Sequence, residues 1–175
     1  CWANGEDERS VSPEGQVKDH SIGRSLTLPH DITDLEEAAE VLLNLADSVG
    51  RRVRLEGFKA QTITLVVKGG DFKNRTFSTT LFEPTDLTDT FYEESVRLLE
   101  KWPKGKPIRL LGITASRLQK GMEQLSLFQE DVQEQTELTK AVDAIREKYG
   151  TDILMRGTQY MSLSQKLRQR NTKNK

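Results

Sequence analysis

Residues 62–82 read Thr62-Ile63-Thr64-Leu65-Val66-Val67-Lys68-Gly69-Gly70-Asp71-Phe72-Lys73-Asn74-Arg75-Thr76-Phe77-Ser78-Thr79-Thr80-Leu81-Phe82. From Thr62 to Lys68 the pattern has a period of two: Ile63, Leu65 and Val67 fall on one side, Thr62, Thr64 and Lys68 on the other. That is the signature of a half-buried strand. Gly69-Gly70-Asp71 supplies turn residues. Alternation then resumes from Thr76 to Phe82, with Phe77 and Leu81 inward and Thr76, Ser78 and Thr80 outward.

On the N-terminal side, Ser21–Leu28 is a strand candidate closed by Pro29. Thr33 followed by Glu36 forms a capping box, in which each side chain satisfies an orphan amide at a helix start. Leu35, Ala38, Leu42, Leu45 and Val49 recur at three- and four-residue steps and share one helix face. This helix is expected to run towards Arg54 and to end at Gly57. On the C-terminal side a second helix begins near Thr88, with Phe91, Ser95, Leu98 and Trp102 at helical spacing and Pro103 and Pro107 at its exit. Ile108–Ala115 is a last strand, where Gly112 is expected to mark a bulge. The order β-α-β-β-α-β predicts an α+β fold: a four-stranded antiparallel sheet with two helices on one face. A C-terminal amphipathic helix is expected from the stripe Leu138, Ala141, Val142, Ile145 and Tyr149, with Gly150 as its stop.

The 175 residues suffice for one ordinary domain with tails, and the 30 % of charged residues makes the chain unusually polar. A single cysteine, Cys1, excludes a disulfide framework or a multi-cysteine zinc site, and His20 and His30 are too isolated to change that. The apolar runs are too short for a membrane span and no charged-then-apolar leader is legible, so a cytoplasmic protein is expected. Opening on Cys rather than Met is expected of a piece of a longer protein.

Net charge is −1, but the signs come in blocks. Residues 31–50 hold six acids and no Lys or Arg, and residues 83–100 hold six acids against Arg97. Residues 51–82 hold seven bases against Glu56 and Asp71, and residues 101–120 hold six bases and no acid. The acidic blocks are assigned to the solvent faces of the helices, and the basic blocks to the open face and rim of the sheet. No pair of strand-end carboxylates, phosphate loop, nucleophile elbow or Cys/His set is present, so these residues read as a binding module. The expected open-face set is Arg24, Thr62, Thr64, Lys68, Arg75, Ser78, Thr80, Arg109 and Thr114. Hydroxyls and cations suit a phosphodiester backbone, whereas the lack of outward aromatic pairs is poor for stacking single-stranded bases. In the tail, Gln124, Leu125, Leu127 and Phe128 form a short apolar cluster in an acidic stretch. Such anchors usually fit a pocket on a partner.

Several of these segments resemble the little finger of bacterial Y-family translesion DNA polymerases. They are Ser21-Ile22-Gly23 with Thr27-Leu28-Pro29 and Asp31-Ile32, Arg75 with the Ser78–Leu81 strand, and Arg109-Leu110-Leu111-Gly112-Ile113 leading to Ser116 and Leu118. Trp2-Ala3-Asn4-Gly5-Glu6-Asp7 resembles the end of the preceding thumb, and Gln124–Phe128 is similar to the family's peptide for the bacterial sliding clamp. The helix ending at Tyr149-Gly150 resembles the tail of polymerase IV-like and UV-repair members. The resemblance implies a sheet that grips both backbones of primer-template DNA in the major groove, in a parent polymerase that uses Mg. The family's palm, fingers and catalytic carboxylates are not among these residues, so no catalytic residue and no cofactor are assigned here. Asp19-His20 stands where the family often has a base.

The expected division is 1–17 thumb end and linker, 18–120 little finger, 121–135 tail with the clamp peptide, 136–150 helix and 151–175 flexible basic tail. Two other readings of the same residues are a stand-alone nucleic-acid-binding module and an adaptor that only binds the clamp.

Overall fold

The computed structural model describes residues 20–120, 130–150, 153, 154 and 157. The elements are β1 (Ile22–Ile32), α1 (Leu35–Leu55), β2 (Phe58–Gly69), β3 (Asn74–Thr85), α2 (Thr88–Leu99), β4 (Ile108–Lys120) and α3 (Glu130–Tyr149). The strands form one antiparallel sheet in the order β1-β4-β2-β3. Because β1 and β2 both run antiparallel to β4, they are parallel to each other, a β-α-β unit split by a third strand. The α+β architecture is the one the alternation and periodicity predict.

Period-two patterning decides which face is covered. Ile63, Leu65 and Val67 of β2 stand in register with Ala115, Ile113 and Leu111 of β4, and all six are fully buried. Leu42, Leu45, Val49 and Val53 of α1 and Phe91 and Leu98 of α2 belong to the same core. Full burial of each large aliphatic or aromatic side chain stabilises the fold by about 1.5–3 kcal/mol. Trp102 closes the core beyond α2 at 2 % exposure, and its indole N–H donates to the Lys106 carbonyl at 3.0 Å.

Several local expectations change. Asp34, rather than Thr33, caps α1, its carboxylate accepting from the Glu36 amide at 2.9 Å. An aspartate brings to the helix N-terminus a negative charge that a threonine lacks. Strand β1 is not closed by Pro29 but continues to Ile32. It is an edge strand, where a missing amide is tolerated, and its pairing shifts between Thr27 and Ile32. Gly112 is no bulge, since it keeps register with both Ser25 and Val66. The irregularity lies at Arg109, between the pairs Lys68–Leu110 and Gly69–Ile108.

Arg51, Arg52 and Arg54, the first members of the basic block, lie in the last turns of α1 rather than on the sheet. Helix α3 begins at Glu130 and is followed by Gly150 at φ 99°. Of its apolar stripe Val142 is half-buried, but Leu138, Ile145 and Tyr149 are exposed and do not dock it. Ion pairs do. Arg54 Nε lies 2.6 Å from Asp143 Oδ2, and Arg146 Nη1 lies 2.9 Å from Asp47 Oδ2.

Candidate nucleic-acid interface

The register fixes which residues occupy the sheet face turned away from α1 and α2. On β2 and β3 they are Thr62 opposite Thr80, Thr64 opposite Ser78, Val66 opposite Thr76 and Lys68 opposite Asn74. On β4, Ser116, Thr114, Gly112 and Leu110 continue the same four rows, and Gly23, Ser25 and Thr27 of β1 continue three of them. No carboxylate stands at any of these positions.

The hydroxyls are organised. Thr62 and Thr80 are 3.3 Å apart and Thr64 and Ser78 3.0 Å apart, oxygen to oxygen. One hydroxyl of each pair donates to the other, which leaves one O–H per pair for an incoming acceptor. A shallow groove of about 350 Å³ crosses the face, lined by Gly23, Arg24, Ser25, Val66, Lys68, Asn74, Leu110, Gly112 and Thr114. Two glycines keep its floor low. A Cβ on Gly23 would lie 2.8 Å from the Thr114 hydroxyl, and one on Gly112 would lie 2.9 Å from the Ser25 Cβ. Bare backbone in a strand permits close approach by another chain.

Of the nine candidate residues, Thr62, Thr64, Lys68, Ser78, Thr80 and Thr114 share the open face. Arg24 lines the groove from the edge strand, although its register partner Ile113 faces the helices. Arg75 and Arg109 do not join them. Arg75 pairs with Val67, which puts it on the helix-covered side, its guanidinium 5.4 Å from the centroid of the Trp102 ring. Arg109 sits at the β4 irregularity, with Nη1 3.2 Å from Asp31 and its guanidinium 4.7 Å from the Phe72 ring centroid.

The β2–β3 turn carries Asp71. The Lys73 amide first, and Lys106 after it, hold the Asp71 carboxyl below the ordinary range. Strand β4 runs past Ala115, where the alternation predicts its end, and so takes in Arg117. Arg117 is exposed at φ 51°, where β4 changes phase so that Ala115 and Leu118 are both buried. Two buried apolar residues three apart in a strand were the available signal. Among the described residues, Lys68, Arg24 and Arg117 have no ion-pair partner. The described residues hold no group of three His, Cys, Asp or Glu side chains arranged for a metal.

The impB/mucB/samB family C-terminal domain matches residues 19–127, more than half of the chain. The chain belongs to this family. Among relatives of the impB/mucB/samB domain, the DNA polymerase IV of Clostridium kluyveri is 36 % identical over 168 residues, covering 90 % of this chain and 42 % of that protein. The DNA polymerase IV of Pelotomaculum thermopropionicum is 36 % identical over 156 residues, covering 88 % and 39 %. The chain thus spans about two fifths of the length of these curated relatives. Among solved structures, a Y-family DNA polymerase chimera of Dbh and Dpo4 aligns with a TM-score of 0.56 at 18 % identity, over 68 % of this chain and 33 % of that one. The post-insertion binary complex of Dbh DNA polymerase aligns at 0.52 and 18 %, over 58 % and 29 %. The impB/mucB/samB domain of this chain therefore shares its fold with these polymerase structures. The proposed clamp-binding residues Gln124, Leu125, Leu127 and Phe128 lie outside the described residues, as do the linker 1–17 and most of the tail 151–175.

Proposed function

We propose that this chain grips primer-template DNA for a lesion-bypass polymerase in the cytoplasm and carries the peptide that recruits the bacterial sliding clamp. The observation that carries the DNA half is the open sheet face, where paired hydroxyls, Lys68 and a glycine floor meet without a carboxylate. Phosphate oxygens accept from hydroxyls and from Lys, and those contacts hold a duplex without reading its sequence. Nucleotide transfer, with Mg, belongs to the parent polymerase; the relatives are named DNA polymerase IV.

The test is a titration of labelled primer-template DNA at several salt concentrations. With roughly three to five phosphates neutralised, log affinity falls with log salt at a slope of about −3 to −4. Lys68→Ala flattens the slope by about 0.9. A wild-type chain without measurable affinity at low salt sinks the proposal.

The clamp half rests on Gln124, Leu125, Leu127 and Phe128. Leu127 and Phe128 bury in a pocket of the clamp while the Gln124 amide fixes direction at its rim. Removing the Phe128 ring forfeits about 2–3 kcal/mol of apolar burial. Phe128→Ala therefore weakens clamp binding roughly thirty- to a hundredfold by calorimetry, while Ser126→Ala leaves it unchanged. Equal affinity for Phe128→Ala and wild type removes the clamp half and leaves the DNA half standing.

A further inference from the structure

A groove of about 330 Å³ lies between α3, α1 and the start of α2, on the helix side of the sheet and away from the open face. Its apolar walls are Leu138 and Val142 of α3, Leu87 just before α2, and Leu154. None of the four is buried, and Leu138 remains 66 % exposed. Apolar walls left open to water in an otherwise polar helix layer mark a place where another apolar group docks. Asp47 and Asp89 belong to the lining, and its two arginines are already engaged, Arg54 with Asp143 and Arg146 with Asp47.

The chain itself supplies a fitting occupant. Arg146 holds the Leu154 carbonyl with two donors, Nε at 3.1 Å and Nη2 at 2.8 Å, so the main chain is pinned at the groove. Beyond it come residues 158–170, which lie outside the described residues. In that segment Tyr160, Leu163 and Leu167 recur at steps of three and four, the spacing of a single apolar edge. Charge matches as well. Residues 153–175 hold six bases and no acid, whereas residues 31–50 hold six acids and no Lys or Arg, and residues 83–100 hold six acids against Arg97. The arginines that end α1 do little to offset this, since Arg52 is paired with Glu56 and Arg54 with Asp143. The chain from Leu154 to Leu163 reaches about 30 Å when extended, and the α3 wall from Gln135 to Arg146 is about 16 Å long. A tether of this length keeps the segment at roughly millimolar effective concentration.

We propose that this groove is the docking site of residues 158–170 of the same chain, with Leu163 and Leu167 seated against Leu87, Leu138 and Val142. Lys166, Arg168 and Arg170 then lie over the acids of α1 and α2. The docked segment covers the open apolar wall of α3 and holds these bases on the side of the domain opposite the open sheet face. Gln124–Phe128 is a weaker match for the groove, because Glu123 and Glu130 flank it with the sign that α1 and α2 already carry. The inference stands on the groove and the charge pattern and does not depend on the DNA reading above.

The experiment uses the whole chain, isotope-labelled, and follows the amide resonances of Leu87, Thr88 and Thr139 at the groove. Leu65 and Val67 amides in β2 serve as the folding check. Leu163→Asp with Leu167→Asp shifts the groove amides and leaves those of β2 in place. A synthetic peptide of residues 158–170, added to that variant, returns the groove amides to their wild-type positions. Its dissociation constant is below about 1 mM, the limit that the effective concentration sets. Adding Leu138→Asp to the same background weakens the peptide about tenfold or more. Carrying Lys166→Glu and Arg168→Glu in the peptide weakens it at about 0.1 M NaCl and less so at about 1 M. Groove amides that ignore the Leu163 and Leu167 substitutions overturn the proposal, as does a peptide that binds more weakly than that limit. Groove shifts that follow Leu127→Asp with Phe128→Asp instead overturn it in favour of the clamp peptide. Groove resonances that move on dilution of the wild-type chain overturn it in favour of a second copy.

Discussion

Helix α1 makes two contacts of opposite character. Towards the sheet and α2 it turns Leu42, Leu45, Val49 and Val53, all buried, together with Gly50, where an added Cβ would lie 3.0 Å from the Thr88 hydroxyl. Towards α3 it turns Asp47 and Arg54, paired with Arg146 and Asp143. Residues 47 and 54 are about 10 Å apart along their helix, and 143 and 146 about 4.5 Å apart along theirs, at 1.5 Å rise per residue. Long side chains span that mismatch. Apolar burial is non-directional and strong; a pair of ion pairs, with an acid and a base on each helix, is directional and modest in net energy. The first contact builds the fold and the second aligns an attachment, so the two should fail separately.

The largest effect comes from the first contact. Leu65→Ala empties the centre of the core and should destabilise the whole domain by about 2–5 kcal/mol in urea unfolding, with α3 lost along with it. A smaller effect comes from the second. Arg54 also donates to the Asp86 carbonyl at 2.6 Å, so Arg54→Ala strands both that oxygen and Asp143. A loss of about 1–3 kcal/mol is expected, concentrated in α3. Hydrogen exchange should show residues 135–149 opening while β2 amides keep wild-type protection. Equal loss in both would merge the two regions into one cooperative unit.

A double-mutant cycle of Asp47→Asn and Arg146→Gln sharpens the comparison further. Arg146 is 7 % exposed and also donates to the Leu154 carbonyl at 2.8 Å, whereas Asp47 is reached by water. Partial solvation places the coupling at the low end for contacting pairs, about 0.5–1.5 kcal/mol. A coupling near zero would mean that Arg146 is held by its carbonyl partner rather than by Asp47.

The same contrast explains what could be read from the sequence. The core was legible because burial imposes a period: Ile63, Leu65 and Val67 alternate, and Leu42, Leu45 and Val49 keep helical steps. The alternation of Phe77 and Leu81 also implied that Arg75 points inward, but assigning the residue by charge put it on the open face. Period should outrank composition when a strand residue is assigned to a face. Arg109 was not legible, since one extra residue in β4 opposite β2 leaves no local mark. Nor was the docking of α3. Leu138, Ile145 and Tyr149 form an apolar stripe, yet the helix is held by Asp143 and Arg146, whose partners lie 89 and 99 residues away in sequence.

The smallest expected effect is a salt effect, and it separates the two contacts without any mutation. Raising NaCl from 0.1 to 1 M shortens the screening length from about 10 to about 3 Å. Apolar packing of α1 on the sheet has no charge to screen, so β2 amides should exchange as before. The α3 pairs are near contact distance, 2.6 and 2.9 Å, and their carboxylates keep partial exposure, Asp143 at 15 % and Asp47 at 24 %. Salt therefore weakens them only in part, by a few tenths of a kcal/mol at most for pairs of this kind. Protection of residues 135–149 should fall by up to about twofold across that range, measured at fixed pH and temperature. Unchanged α3 protection would mean that the pairs are sealed from solvent and as permanent as the core. A parallel fall in β2 would mean that α3 is part of the folding unit rather than an attachment to it.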